Sequence, residues 1–159
     1  MKKLHLIFIF LSLFSVHGLA DTESSIKKVV YDLTTGNIET LNRRLIGSII
    51  SNNAYYESRS QKYKVKVIVH GDAYTFFMQD GNHSLHASDK TLVNKKNELE
   101  KKLHSLTTDY SVQFEVCGTG IKHKHLNPKA FYPFVTIIHS AIVGLVDAQN
   151  SGYAYIPIP

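Results

Sequence analysis

Apolar positions change their period several times along this chain, and each change marks an element. From Lys27 to Leu33 the β-branched and aromatic residues Val29, Val30, Tyr31 and Leu33 predict a strand. Thr34-Thr35-Gly36-Asn37 interrupts it, and from Ile38 the apolar residues Leu41, Leu45, Ile49 and Ile50 recur at helical spacing, opposite Asn42, Arg43 and Arg44. Asn37 is the expected N-cap of that helix, because a short polar side chain there accepts an otherwise unpaired backbone N–H. A second strand is expected over Tyr63–His70, with Val65, Val67 and Val69 on one face. Lys64 and Lys66 on its other face place its beginning near the sheet edge or the surface. Asp72 is expected to cap a short helix through Ala73, Phe76, Phe77 and Met78.

Gly81–Ala87 reads as a polar loop carrying His83 and His86, after which Ser88 or Asp89 opens a helix with Leu92, Leu99, Leu103 and Leu106 along one face. Glu98 and Lys102 form an i,i+4 pair on another face of it. A third strand runs from Val112 into Cys117-Gly118-Thr119-Gly120, which turns into a short helix stopped by Asn127-Pro128. Phe134–Ile138 is short and continuously apolar, the pattern of a strand covered on both faces. A helix with Ala141, Ile142, Leu145, Val146 and Gln149 follows, and Tyr153–Ile156 forms a last strand before Pro157 and Pro159.

Five strands alternating with helices predict a mainly parallel five-stranded sheet between helical layers, since parallel neighbours need crossover connections. In such a sheet every strand ends on one edge, and ligands bind in the crevice outside those carboxyl ends. That rim would gather Thr34, Thr35 and Gly36, then His70, Gly71 and Asp72, then Cys117, Gly118 and Thr119, then His139 and Ser140.

The first twenty residues have the form of an export signal rather than of a folded element. Lys2 and Lys3 precede an apolar run from Leu4 to Val16, and Gly18-Leu19-Ala20 supplies small residues for cleavage after Ala20. The run is shorter than a bilayer span, so no integral membrane segment is expected, and the mature chain would be one exported, periplasmic domain over residues 21–159. The net charge of +5 falls to +3 without Lys2 and Lys3, and the basic residues are scattered, which argues against nucleic acid. A single cysteine excludes an internal disulfide.

Cys117 is therefore the residue on which function turns. At the end of a strand and the start of a helix, unpaired backbone N–H groups favour a thiolate, and Gly118 and Gly120 let the backbone approach a ligand closely; in the alternative, Cys117 is an inert, buried small hydrophobe. His70 and His139 are candidates to activate the thiol or, with Gly118 and Thr119, to bind a substrate; each could equally be a hydrogen-bonded strand-end histidine. Lys122-His123-Lys124-His125 does not read as a metal site, because His-x-His on a helix points the rings apart and the lysines repel a cation. No metal or cofactor is expected. Asn82-His83-Ser84 is a glycosylation-type triplet in a polar loop.

Val69-His70-Gly71, Val116-Cys117-Gly118-Thr119, Leu126-Asn127-Pro128 and the closing Gly152-Tyr153-Ala154-Tyr155-Ile156 together resemble the exported branch of the DsrE/DsrF-like family, over Lys27–Pro157. The resemblance implies a compact three-layer α/β/α fold of flavodoxin-like architecture and assembly as trimers or hexamers. For the characterised cytoplasmic members it implies a cysteine that accepts sulfur as a persulfide and passes it to a partner, and Cys117 matches that cysteine. This chain lacks the evident partner cysteine of a relay. Three functions follow as expectations: a sulfur carrier working with a small sulfur compound or a thiol protein, a non-enzymatic module binding a small anion or soft metal, and a structural oligomer subunit.

Overall fold

The computed structural model describes residues 26–79 and 90–159, the side chains of 90–95 excepted. The leader, the loop histidines His83 and His86, the Asn82 triplet, the caps at Ser88 and Asp89 and the side chain of Leu92 lie outside the described residues.

Five parallel strands form one sheet: β1 (Ile26–Leu33), β2 (Lys62–Val69), β3 (Gln113–Cys117), β4 (Val135–Ile138) and β5 (Ala154–Ile158), in the order β4-β3-β2-β1-β5. The α-helices are α1 (Ile38–Thr40), α2 (Ser48–Glu57), α3 (Lys90–Asp109), α4 (Gly118–His123) and α5 (Ala141–Asn150). A π-helical segment, Leu41–Gly47, joins α1 to α2, and 3-10 turns cover Gly71–Phe77 and Pro128–Ala130. The predicted caps hold at Asn37, whose Oδ1 accepts the Thr40 N–H at 2.8 Å, and the Glu98–Lys102 pair closes at 2.6 Å.

The strand order explains the layers. From β1 to β4 the chain always steps the same way, so right-handed crossovers put the intervening helices on one face; the return from β4 to β5 beside β1 puts α5 on the other. Ring contacts agree. Tyr56 of α2 meets Tyr63 with centroids 5.1 Å apart, and Phe77 meets Phe114 at 5.0 Å, on the face that carries Val65, Val67, Val69 and Val116. Leu41, Leu45, Ile49, Leu99, Leu103 and Leu106 are buried in the core against that face. On the opposite face α5 packs so closely that a Cβ on Gly144 would meet the tips of Ile138 and Ile68 and lie 3.4 Å from Glu115 Oε2.

Three expectations change, and one alternative is decided. The start of β2 lies at the surface, with Lys62 and Lys64 exposed, and not at a sheet edge: β2 is the central strand, and Lys66 Nζ is neutralised by Glu115 Oε1 on β3 at 2.7 Å. β4 is an edge strand rather than a strand covered on both faces, with Thr136 and Ile137 exposed. Asp72 lies within a 3-10 turn rather than capping an α-helix, because Gly71 takes a left-handed φ of 66° and starts the turn one residue earlier. Pro157 lies inside β5, where an edge position spares the ladder its missing N–H.

Candidate functional site

Cys117 ends β3 and caps α4. Its Sγ accepts the Gly120 N–H at 3.4 Å, and the residue as a whole is 7% exposed. The sequence around it leaves little freedom. A side chain at Gly118 would place its Cβ 2.7 Å from the Ile138 carbonyl oxygen, and one at Gly120 would overlap the phenol of Tyr74. That phenol donates to the Cys117 carbonyl at 2.9 Å. Burial first, and then the neighbouring Cys117 side chain, raise the Tyr74 pKa well above the ordinary phenol value, so it remains a neutral donor. The turn that presents the sulfur is thus clamped from the β4 side by the Ile138 carbonyl and from the 3-10 turn by Tyr74.

Thr119 is exposed and fastened to the end of β4: its N–H and Oγ1 donate to the His139 carbonyl at 3.0 and 2.9 Å. His139 is therefore brought to the rim beside Thr119 through its backbone, with its side chain exposed. His70 follows the last residue of β2. Because Val69 pairs with Val116, the next step of the register sets His70 beside Cys117 across adjacent strands. Its ring turns towards β1, where Nε2 lies 2.6 Å from Asp32 Oδ1. Neither histidine hydrogen-bonds the sulfur.

Two residues for which the sequence suggests no site role complete this cluster. Asp32 sits one position before the end of β1, and its second carboxylate oxygen accepts the Tyr155 hydroxyl of β5 at 2.7 Å. That hydrogen bond raises the Tyr155 pKa. An acidic residue within Val-Val-Tyr-Asp-Leu was the available signal, but its partners depend on β5 lying next to β1, which no local pattern states. Among the described residues no group of three or more His, Cys, Asp or Glu could hold a metal ion, and no helix is long and apolar enough to cross a membrane. An open recess of about 530 Å³ lies at the start of α1, lined by Asn37, Glu39, Thr40, Asn42 and Arg43, and includes none of the candidate residues.

A parallel α/β domain that presents one thiol at a strand-to-helix turn is the class that fold and site define. Residues 28–158 match the DsrE/DsrF-like family model, and the chain belongs to that family. It is 26% identical over 137 residues to an uncharacterized protein of Aquifex aeolicus (strain VF5), covering 82% of this chain and 55% of that one; the chain thus spans about half the length of this curated relative. In fold it is similar to the protein of unknown function MTH1491 from Methanobacterium thermoautotrophicum, with a TM-score of 0.62 and 18% identity over 82% of this chain and 98% of that one.

Proposed function

We propose that the protein is an exported sulfur carrier in which Cys117 accepts sulfane sulfur and hands it to a thiol acceptor. The observation that carries this reading is the Gly120 N–H directed at Cys117 Sγ within a turn that Tyr74 and Ile138 hold in place. A donated N–H favours an anionic sulfur over a neutral one. Membership of the DsrE/DsrF-like family supports the same chemistry.

The reaction needs no oxidant. The thiolate attacks the outer sulfur of thiosulfate, the S–S bond of the donor breaks, sulfite leaves with the bonding pair, and Cys117 holds a persulfide; attack by an acceptor thiolate on the outer sulfur then regenerates Cys117. With only 7% of the residue exposed, a slim inorganic donor suits the site better than a bulky one. Export by cleavage after Ala20, into the periplasm, belongs to this reading.

Intact mass after incubation with thiosulfate or polysulfide tests it. The mature chain gains one sulfur atom and Cys117→Ser gains none. No gain on the wild type, or equal gain on both, contradicts it.

A second reading, a homo-oligomer subunit, is favoured by an apolar surface on α5. Ile142 is 75% exposed, and Val143 and Val146 are exposed beside it. Sedimentation of the wild type against Ile142→Lys tests it: a trimer or hexamer that the charge breaks into monomers supports self-association, and a monomeric wild type contradicts it.

A further inference from the structure

Asp32, His70 and Tyr155 come from three neighbouring strands and meet on the face of the sheet that α5 covers. Ile68 pairs with Asp32 on β1, so both project to that face, and His70, two residues beyond Ile68, shares it. Cys117 pairs with Ile138, whose tip packs under Gly144 of α5, and so belongs to the same face.

Protonation in this cluster follows from the chemistry of its members. A carboxylate only accepts hydrogen bonds, so the 2.6 Å contact places the His70 proton on Nε2 and leaves Nδ1 as the nitrogen free to take another. The Tyr155 hydroxyl occupies the second oxygen of Asp32 and holds the carboxylate in orientation. Exposure is graded to match. The Asp32 side chain is 15% exposed and that of His70 30%, so the acid is covered while the imidazole remains reachable from the rim.

We infer that His70 is the proton-transfer partner of Cys117, with Asp32 and Tyr155 as positioning residues. This rests on the reading of Cys117 as a working thiol. His70 Nδ1 takes the proton of the Cys117 thiol, directly or over one water, to form the attacking thiolate; the S–H bond breaks, its electron pair stays on sulfur, and the imidazolium formed is paired with Asp32. The same proton then passes to the departing group of the donor. The ring is committed to Asp32 rather than to sulfur, so it is held ready without capping the nucleophile, and bonds of this kind tighten when substrate is bound.

The Tyr74 phenol faces Cys117 and stays protonated, and α4, which Cys117 caps, carries Lys122 and His123 in its last turn. Along the same face lie the Lys66–Glu115 pair, mutually neutralised at 2.7 Å, and beyond the rim the Asp72–Lys124 contact at 3.6 Å. α5 carries one ionisable residue, Asp147, in its last turn. His139 at the end of β4 is exposed.

Because the chain has one cysteine, alkylation reports Cys117 alone. The rate of reaction with iodoacetamide is measured from about pH 5 to pH 10 on the wild type, His70→Gln, Asp32→Asn and Tyr155→Phe, with folding checked by circular dichroism. The wild type reacts readily at neutral pH. His70→Gln and Asp32→Asn slow the neutral-pH rate on the order of 100-fold and convert it to one that climbs steadily with pH, and Tyr155→Phe slows it several-fold. Tyr155 is exposed, so its variant keeps the test intact if Asp32→Asn fails to fold. Nitrogen NMR of the His70 ring reads the tautomer directly, with the proton on Nε2 expected. Folded His70→Gln and Tyr155→Phe proteins that keep the wild-type pH profile, or a ring carrying its proton on Nδ1, overturn the role of His70 and leave the Cys117 reading standing. A wild-type thiol that reacts only after unfolding overturns both.

Discussion

Tyr74 fills the space that a side chain at position 120 would need, and its hydroxyl is bound to the carbonyl of Cys117. The same phenol therefore requires glycine at one end of the turn and fixes the backbone at the other. Gly120→Ala is expected to cost about 1–3 kcal/mol through overpacking against the held ring. Gly118→Ala meets the Ile138 backbone oxygen and is expected to cost as much, whereas Gly144→Ala meets only the movable tips of Ile138 and Ile68 and is expected to cost less. Urea unfolding of the three variants orders them; a Gly144→Ala protein less stable than the other two contradicts the clamp.

Removing only the Tyr74 hydroxyl tests the other half of that relationship. Tyr74→Phe leaves the Cys117 carbonyl without this donor, an expected loss of about 1 kcal/mol. The Gly120→Ala cost should shrink in the Tyr74→Phe background, because the colliding oxygen is gone. A double-mutant cycle measures the coupling, and strict additivity would argue against contact between the two positions.

High pH should destabilise the fold through its covered phenols. Burial, first of all, raises the pKa of Tyr74 and Tyr132, with the Cys117 side chain adding to it for Tyr74 and the neighbouring Glu100 for Tyr132. Below about pH 10 both folded and unfolded chains keep these phenols neutral, and the stability is fully present. Above that the unfolded chain ionises while the native one holds its protons, so stability falls, at about 1.4 kcal/mol per pH unit for each phenol that stays protonated. Thermal melts from about pH 8 to 11 should show a plateau and then a decline that Tyr132→Phe makes shallower. A stability that rises through this range contradicts the burial of these hydroxyls.

The Lys66–Glu115 pair is expected to behave as a unit. Lys66→Met alone strands the Glu115 carboxylate under α5, a loss of about 1–3 kcal/mol. Replacing both, as Lys66→Met with Glu115→Leu, should recover most of it, since the two charges leave together. Chemical denaturation of the singles and the double checks this, and a double variant no better than the worse single contradicts it.

How much of this could be read from residues alone depended on whether the cause was local. The strand over Val29–Leu33, the Asn37 cap, the Leu99–Leu103–Leu106 stripe and the glycine turn after Cys117 follow from period, capping and steric freedom within a few residues, and the structure has them. Lys64 and Lys66 point to a strand start at the surface, where Lys64 lies, but a charge on one face of a strand does not say whether that face is open or a partner waits there. The partner, Glu115, is 49 residues away. A site role for Asp32 and Tyr155 is not legible for the same reason: their meeting depends on β5 joining the sheet beside β1, a decision made by the return crossover rather than by either segment. The sequence puts His70 and Cys117 at one rim, but only the β2–β3 register makes them neighbours.

The claim at the centre of this account is that Cys117 both accepts and releases sulfur. Its most direct measurement loads the mature protein with thiosulfate labelled in the outer sulfur, removes excess donor and adds a small thiol acceptor. One labelled sulfur per chain, found on the Cys117 peptide and then discharged to the acceptor, is the predicted result. Label that never reaches Cys117, or that stays there in the presence of acceptor, would contradict it.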